Sequence, residues 1–531
     1  MNIEPGKTKI GIVGAGTMGA GIALAALYKG FEVALYDPFP EALEKGRAYI
    51  EQFLAKKGLE KNKELLTFVH ELDGLAGCDF VIEAALEDLE MKQDIFTKLD
   101  AICPPPAILA TNTSTLTVTA IASVTQTPER MIGMHFFNPA AVLPLVEVVR
   151  AANTSEETIA AVVALAEALD KEPVVTGDTP GFIVNRVARP FYGEALRLLG
   201  EGVATVEEID WLVEKGAGFK MGPFRLMDLI GIDVNTKAMQ SLFEQTYGEP
   251  RYRPHPIQIQ KVATGELGRK VGKGFYGYGE EKADKDTHKH VDKETSKQGQ
   301  VMLISEGSWG VGVRAVCEAA GYRTETVFEA DDSVAGCLVV AAKDEDLQGL
   351  VSWYDNELPE SVPLLVQTAD VTEAEAATWL RYPQRLVGFD PIFIAEGGVL
   401  ALAASPVMVP EMRAKVDDLI DSLGLQPVWV EDSPAMILPR IVCQLINEAA
   451  FSVLEGVAEP EVIDKAMCLG VNYPKGPLEW GKEIGYDKVV AVLDHLWEEY
   501  REERYRACRL LRKWARMEKM PPMVGTEHSG R

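Results

Sequence analysis

The chain has 531 residues, 47% of them hydrophobic, which suffices for three or four domains with sizeable cores and excludes global disorder. Its formal charge of −27 argues against nucleic acid or an anionic membrane surface as partner, and an anionic substrate would need a local basic patch. Seven scattered cysteines without a CxxC pair argue for a reducing cytosol with neither a disulfide framework nor a metal site, and no apolar run is long enough to span a bilayer.

Residues 1–9 carry no leader pattern, so a cytoplasmic protein is expected. Lys9–Val13 reads as a strand and runs into Gly14-Ala15-Gly16-Thr17-Met18-Gly19, an Ala/Leu-rich helix to about Lys29, and a second strand, Glu32–Tyr36, ending at Asp37. In this order Gly14 permits a tight turn, Gly16 lets the backbone approach a pyrophosphate, and Gly19 lets helix and strand pack closely. Asp37 stands 18 residues after Gly19, where a carboxylate accepts both ribose hydroxyls and repels a 2′-phosphate, so NAD is expected rather than NADP. Phe80–Ala84, Ala107–Asn112 and Met131–Phe136 continue the alternation, predicting a doubly wound parallel sheet to about residue 177.

Four later segments add chemistry: Thr111–Thr115 (TNTST), Gly133–Pro139 (GMHFFNP), Val146–Val149 (VEVV) and Asp178–Arg186 (DTPGFIVNR). Oxidising a secondary alcohol needs a base for the hydroxyl proton while hydride leaves for a nicotinamide. His135 lies at a strand end, the edge where open α/β sheets bind ligands. Glu147, on a second apolar stretch, is placed to orient the ring and stabilise its charged form. Ser114 and Asn185 are candidate donors to the substrate oxygen. Taken one at a time, these four also read as a core histidine, an ion-paired glutamate, a helix N-cap and a helix-surface amide.

Together with GAGTMGAG, the four segments resemble the signature of the 3-hydroxyacyl-CoA dehydrogenases across residues 9–278, and the full-length arrangement is similar to the long bacterial members associated with phenylacetate catabolism, which act on 3-hydroxyadipyl-CoA or similar substrates. The resemblance implies NAD as cofactor, an acyl-CoA substrate, and further cofactor contacts at Glu87, Lys92, Asn138 and Lys270. Each of those four also reads as an ordinary surface position. Where the family can hold CoA with a Ser and a Lys, this chain has Phe53 and Glu60; Lys56, with Lys57 and Lys61, is the nearby substitute.

Residues 280–300 are charged and aperiodic and read as a linker; His288 and His290 lack a third metal ligand. Beyond it the chain starts again. Gly16, Gly19 and Gly21 recur 291 residues on as Gly307, Gly310 and Gly312, but Gly14 has become Ser305 and Asp37 has become Phe328. Asp178, Arg186, Glu194 and Asp210 recur 254 residues on as Asp432, Arg440, Glu448 and Asp464. Asn185 falls on Pro439, Ser114 near Ala369, and the His135 segment becomes Gly388-Phe389-Asp390-Pro391, so the copy lacks the base and both donors.

The expected architecture is α/β: a Rossmann-type doubly wound sheet (1–177), an all-helical domain (178–279), the linker, a degenerate shorter repeat of both (301–431 and 432–515), and a tail (516–531). The helical domains are expected to form an intrachain pseudo-dimer, with a homo-oligomer left open. Two other functions stay open on residues alone: a dehydrogenase of a CoA-free hydroxy acid, and an NAD-binding protein without turnover.

Overall fold

A computed structural model describes residues 3–278, 301–304, 310–326, 334–341, 346–394 and 397–518. The expected linker with His288 and His290, the positions of Ser305, Gly307 and Phe328, and residues 519–531 lie outside the described residues. The chain forms two compact units, one of Met1–Ala188, Glu244–Thr246 and Ser452–Gly476, the other of Arg189–Phe243, Tyr247–Phe451 and Pro477–Arg531.

The first unit holds an eight-stranded sheet of β1 (Lys9–Val13), β2 (Glu32–Tyr36), β3 (Leu66–Val69), β4 (Phe80–Glu83), β5 (Ile108–Thr111), β6 (Met131–Phe136), β7 (Leu145–Arg150) and β8 (Glu172–Gly177), in the order 3-2-1-4-5-6-7-8. Alternate residues of each strand enter separate cores. Ile10, Ile12, Phe80 and Ile82 pack with Ile22 and Leu24 of the first helix on one face, while Val13, Val81 and Leu109 pack with Phe96 and Leu99 on the other. Burial on both faces is why these strands read as continuous apolar runs.

The expectation of an all-parallel sheet is corrected at one place: β6 and β7 are antiparallel. Only residues 137–144 join them, fewer than the roughly dozen that a parallel crossover needs, so the chain turns straight back. That reversal sets His135 directly opposite Glu147.

The second unit repeats the plan. Its strands β9 (Val301–Ile304), β10 (Arg323–Glu325), β11 (Val334–Val339), β12 (Leu364–Gln367), β13 (Leu386–Phe389), β14 (Val399–Ala404) and β15 (Gln426–Val430) are ordered 10-9-11-12-13-14-15. Among the described residues this is the first sheet without a counterpart of β3, again with one antiparallel pair, β13 and β14. Buried ion pairs repeat as well: Arg130 with Asp100 in the first half, Arg385 with Asp355 in the second, 2.7 and 2.8 Å. The Asp178 carboxylate accepts from the Val118 and Thr119 amides, and Asp432 from those of Glu373 and Ala374.

The helical segments run from Val184 to Ala263 and from Leu438 to Glu518, the last helix taking in the first three residues of the expected tail. They exchange elements with the sheets. In the first unit, helix Pro460–Val471 packs on β7, with Gly470 against Leu145 and Val184. In the second, segment Leu212–Gly216 packs on β14, with Gly216 against Val399 and Leu438. The Gly177 amide donates to the Val457 carbonyl, and the Glu431 amide to that of Val203. Each member of these pairs lies 254 residues from its mate, so one set of contacts is built twice. Among the described residues no helix is long and apolar enough to cross a membrane.

Candidate active site

The glycine loop follows β1 directly. Gly14 has φ +102°, and a Cβ there would lie 2.6 Å from the Ala84 carbonyl oxygen. A Cβ on Gly19 would lie 1.8 Å from the Gly14 oxygen, so the helix Thr17–Tyr28 is seated on the loop itself. Beside Gly16 a Cβ would meet nothing within 4 Å, and no side chain caps the helix there. Bare first-turn amides over an open glycine make an anion cradle, which fits a dinucleotide pyrophosphate held by residues 14–19, Ala15, Thr17 and Met18 among them. Asp37 closes the same loop: it accepts from the Ala15 amide at 2.8 Å and from the Phe39 amide at 2.9 Å. A cavity of about 690 Å3 opens there, lined by Gly16, Thr17, Phe39, Lys45, Gly46 and Tyr49 among others.

If Asp37 binds the ribose hydroxyls, Asp37→Ala removes a hydrogen bond from a charged acceptor. The expected result is roughly ten- to hundredfold weaker NADH binding and a narrowed NADH/NADPH preference. Titrating both cofactors checks it; a wild type that binds NADPH more tightly would contradict it.

The His135 ring is buried, its Nδ1 2.7 Å from Glu147 Oε2. Glu147 is fully buried, and its Oε1 accepts from the Ile183 and Val184 amides at 3.0 Å each, where the short helix Val184–Val187 begins. A carboxylate only accepts, so Nδ1 donates to Glu147, and in the neutral ring this leaves the lone pair on Nε2. The rings of Phe137 and Phe182 flank the imidazole, with centroids at 4.6 and 5.8 Å. Behind it, the Asn112 Oδ1 accepts from the Phe136 amide and fixes the strand end.

Ser114 lies three residues beyond β5, in a loop held from two sides. Glu87 Oε1 accepts from the Ser114 and Thr115 amides and from the Thr113 and Thr115 hydroxyls, at 2.7 to 2.9 Å. Burial raises the Glu87 pKa, but Lys92 and these donors outweigh it and hold the carboxyl at about 2. Asn185 Nδ2 donates to the Ser114 carbonyl at 3.4 Å, and Gln245 Nε2 to that of Thr115 at 2.5 Å. Asn185 is thus brought to Ser114.

Other expected residues are spread more widely. Lys92 is not a solvated charge: its side chain is 1% exposed and pairs with Glu83. Asn138 is exposed beyond β6. Lys270, in the second unit, binds both carboxylate oxygens of Asp233. Lys56 is exposed at the end of helix Pro40–Lys56, its Nζ 4.7 Å from the Phe53 ring centroid, and does not line the cavity. Glu83 and Gln245 escape sequence reasoning. The signal for Glu83 is a carboxylate closing the apolar strand Phe80–Glu83; for Gln245 no local signal exists.

Two family models match the chain: the NAD binding domain of 3-hydroxyacyl-CoA dehydrogenase over residues 9–179, and its C-terminal domain over 181–278 and again over 436–526. The chain is 36% identical over 523 residues to the 3-hydroxyadipyl-CoA dehydrogenase of Escherichia coli (strain K12), covering 96% of this chain and 98% of that protein. It is 39% identical over 282 residues to the human mitochondrial hydroxyacyl-coenzyme A dehydrogenase, covering 50% of this chain and 90% of that one. A crystal structure of 3-hydroxybutyryl-CoA dehydrogenase from Escherichia coli K12 superposes with a TM-score of 0.78 at 35% identity, covering 98% of this chain and 99% of that one.

Proposed function

We propose, from the premise that the chain belongs to the 3-hydroxyacyl-CoA dehydrogenase family, that His135 is the general base of its reaction and Glu147 the residue that orients it. The reaction is the oxidation of a 3-hydroxyacyl-CoA to the 3-oxoacyl-CoA, for which NAD supplies the hydride acceptor when bound. The 2.7 Å bond from His135 Nδ1 to Glu147 carries this reading, because it leaves Nε2 free to take the hydroxyl proton. As the ring becomes imidazolium, the buried Glu147 carboxylate balances the new charge. Ser114 and Asn185, joined through the Ser114 carbonyl, donate to the substrate oxygen as it becomes a carbonyl. Asp37 and residues 14–19 hold the cofactor.

The acyl group is proposed to be 3-hydroxyadipyl, supported by the similarity to the relative of that name across both halves of the chain. The test is nicotinamide absorbance with acetoacetyl-CoA and NADH, then kcat/KM for 3-hydroxyadipyl-CoA against 3-hydroxybutyryl-CoA. Turnover with a preference for the adipyl substrate is expected. Turnover favouring the butyryl substrate would remove the adipyl assignment, and an inert enzyme would remove the acyl-CoA reading.

Domains are proposed at 1–177, 178–279, 301–431 and 432–515, with one active site per chain and the helical domains paired as an intrachain pseudo-dimer. Buried charge between the two helical segments supports the pairing. Arg440, 0% exposed, donates to Glu194 at 2.9 Å and to Glu201 at 2.7 Å, and Arg251 to Glu448 at 2.8 Å. The single site is supported by what the copy offers: Asp390 for His135, Ala401 for Glu147 and Pro439 for Asn185.

A further inference from the structure

We infer that the second half of the chain holds the active site in place: its segment 455–470 clamps the loop and the short helix that carry Phe182 and Asn185, with Glu455 and Gly470 as positioning residues. The inference rests on the proposed roles of His135, Glu147 and Asn185.

The loop 178–183 and the helix Val184–Val187 follow β8 and meet the site residue by residue. Phe182 flanks the His135 ring, the Ile183 and Val184 amides donate to Glu147, and Asn185 donates to the Ser114 carbonyl. This stretch does not hold itself. Phe182 has φ +48°, a left-handed conformation that a bulky side chain keeps only when its surroundings impose it. The helix has four residues, a single turn, which is unstable without outside contacts.

The second half supplies those contacts at both ends. Before the loop, the Val457 carbonyl accepts from the Gly177 amide at 3.0 Å and from the Thr176 hydroxyl at 3.3 Å. After it, Glu455 Oε2 lies 2.8 Å from Nη2 of Arg186, the neighbour of Asn185, whose side chain is 5% exposed. Between them, a Cβ on Gly470 would lie 2.7 Å from Leu145 Cδ2 and 3.1 Å from Val184 Cγ2, so helix Pro460–Val471 rests against the residue whose amide reaches Glu147. The duplication repeats the clamp where no base stands. Glu201 pairs with Arg440, the Val203 carbonyl accepts from the Glu431 amide, and Gly216 lies against Leu438 and Val399, beside a loop that carries Pro439 in place of Asn185. The same substitution made in both halves therefore disturbs the fold twice and the chemistry once.

The test sets Gly470→Val beside its mirror, Gly216→Val, in the full chain, with Glu455→Lys as a third variant. The measurements are kcat with acetoacetyl-CoA, the NADH dissociation constant, Tm, and hydrogen exchange at the Ile183 and Val184 amides. Gly470→Val pushes Val184 aside, and its kcat should fall roughly 10- to 100-fold, as misplacement of a reacting group does. Its NADH affinity should stay within about threefold, because the glycine loop is distant on the sheet. Gly216→Val should lower Tm as well, yet keep kcat within about twofold, since no working site lies beside it. Glu455→Lys sets a cation against Arg186 and should lower kcat roughly tenfold, again with NADH binding kept. Equal kcat losses in the two valine variants would make the effect one of fold alone and overturn the inference, as would a wild-type kcat in Gly470→Val or Glu455→Lys. If Gly470→Val does not fold, Glu455→Lys, which alters a half-exposed side chain, decides by the same criterion. An inert wild type would remove the acyl-CoA reading, and hydrogen exchange would then decide. Faster exchange in Gly470→Val or Glu455→Lys than in wild type and Gly216→Val upholds the clamp, and equal exchange in all refutes it.

Discussion

His135→Gln lowers kcat by roughly 10²–10⁴-fold while NADH binding persists, the range expected when a general base is lost. The side chain touches Glu147 and two aromatic rings and lies apart from the glycine loop in sequence and on the sheet, so its loss leaves the nucleotide cradle intact. Glu147→Gln has a comparable effect for another reason. An amide can present its NH2 group to Nδ1, which then accepts, and the proton moves to Nε2 where the base should be. That is a wrong-tautomer loss, and it can reach about 10⁴-fold. The variant also weakens an acceptor shared by the Ile183 and Val184 amides, so its stability falls as well. Because the pair works as a unit, the double variant should be little slower than His135→Gln alone. Multiplying losses would show that the two act independently.

The second large effect is a truncation. A fragment of residues 1–278 keeps every residue assigned to catalysis, yet it should precipitate or self-associate. It loses the helix Pro460–Val471 that covers Leu145 and Val184, and it loses Arg440, leaving the Glu194 carboxylate with Arg197 as its remaining ion-pair partner at 3.1 Å. Phe219 loses Trp480, whose ring lies 5.3 Å away. Stripped apolar surface of several hundred Å2 drives association, here toward a second copy offering the equivalent helix. Linking the halves makes that docking intramolecular at high effective concentration. Light scattering on the fragment decides: a monomeric, fully active fragment would contradict the pseudo-dimer.

Sequence carried some of this and not the rest, for identifiable reasons. The loop from Gly14 to Gly19 and Asp37 were legible because a strand, a tight turn and a helix are local, and their glycines answer to nearby backbone. The repeat was legible because helix patterns and glycines survived at a constant spacing. The pairing of His135 with Glu147 was named from the motif, but its cause, an antiparallel hairpin in an otherwise parallel sheet, was missed because an apolar strand carries no mark of direction. The burial of Lys92, which removes its alternative reading as a solvated helix charge, is not legible because it depends on Glu83, which arrives from another strand. The exchange of helix Pro460–Val471 onto the first sheet could not be read at all: its contacts span some 300 residues, and nothing local distinguishes a helix that packs on its own sheet from one that packs on its copy's.

The protein is proposed to have a single working site, built on His135 in the first half. Calorimetric titration of NADH onto the intact wild type and the His135→Gln variant, with acetoacetyl-CoA turnover recorded on the same samples, tests it most directly. One NADH bound per chain in both proteins, with turnover lost only in the variant, is the predicted result. Two equivalent NADH sites per chain, or a variant that keeps wild-type turnover, would contradict it.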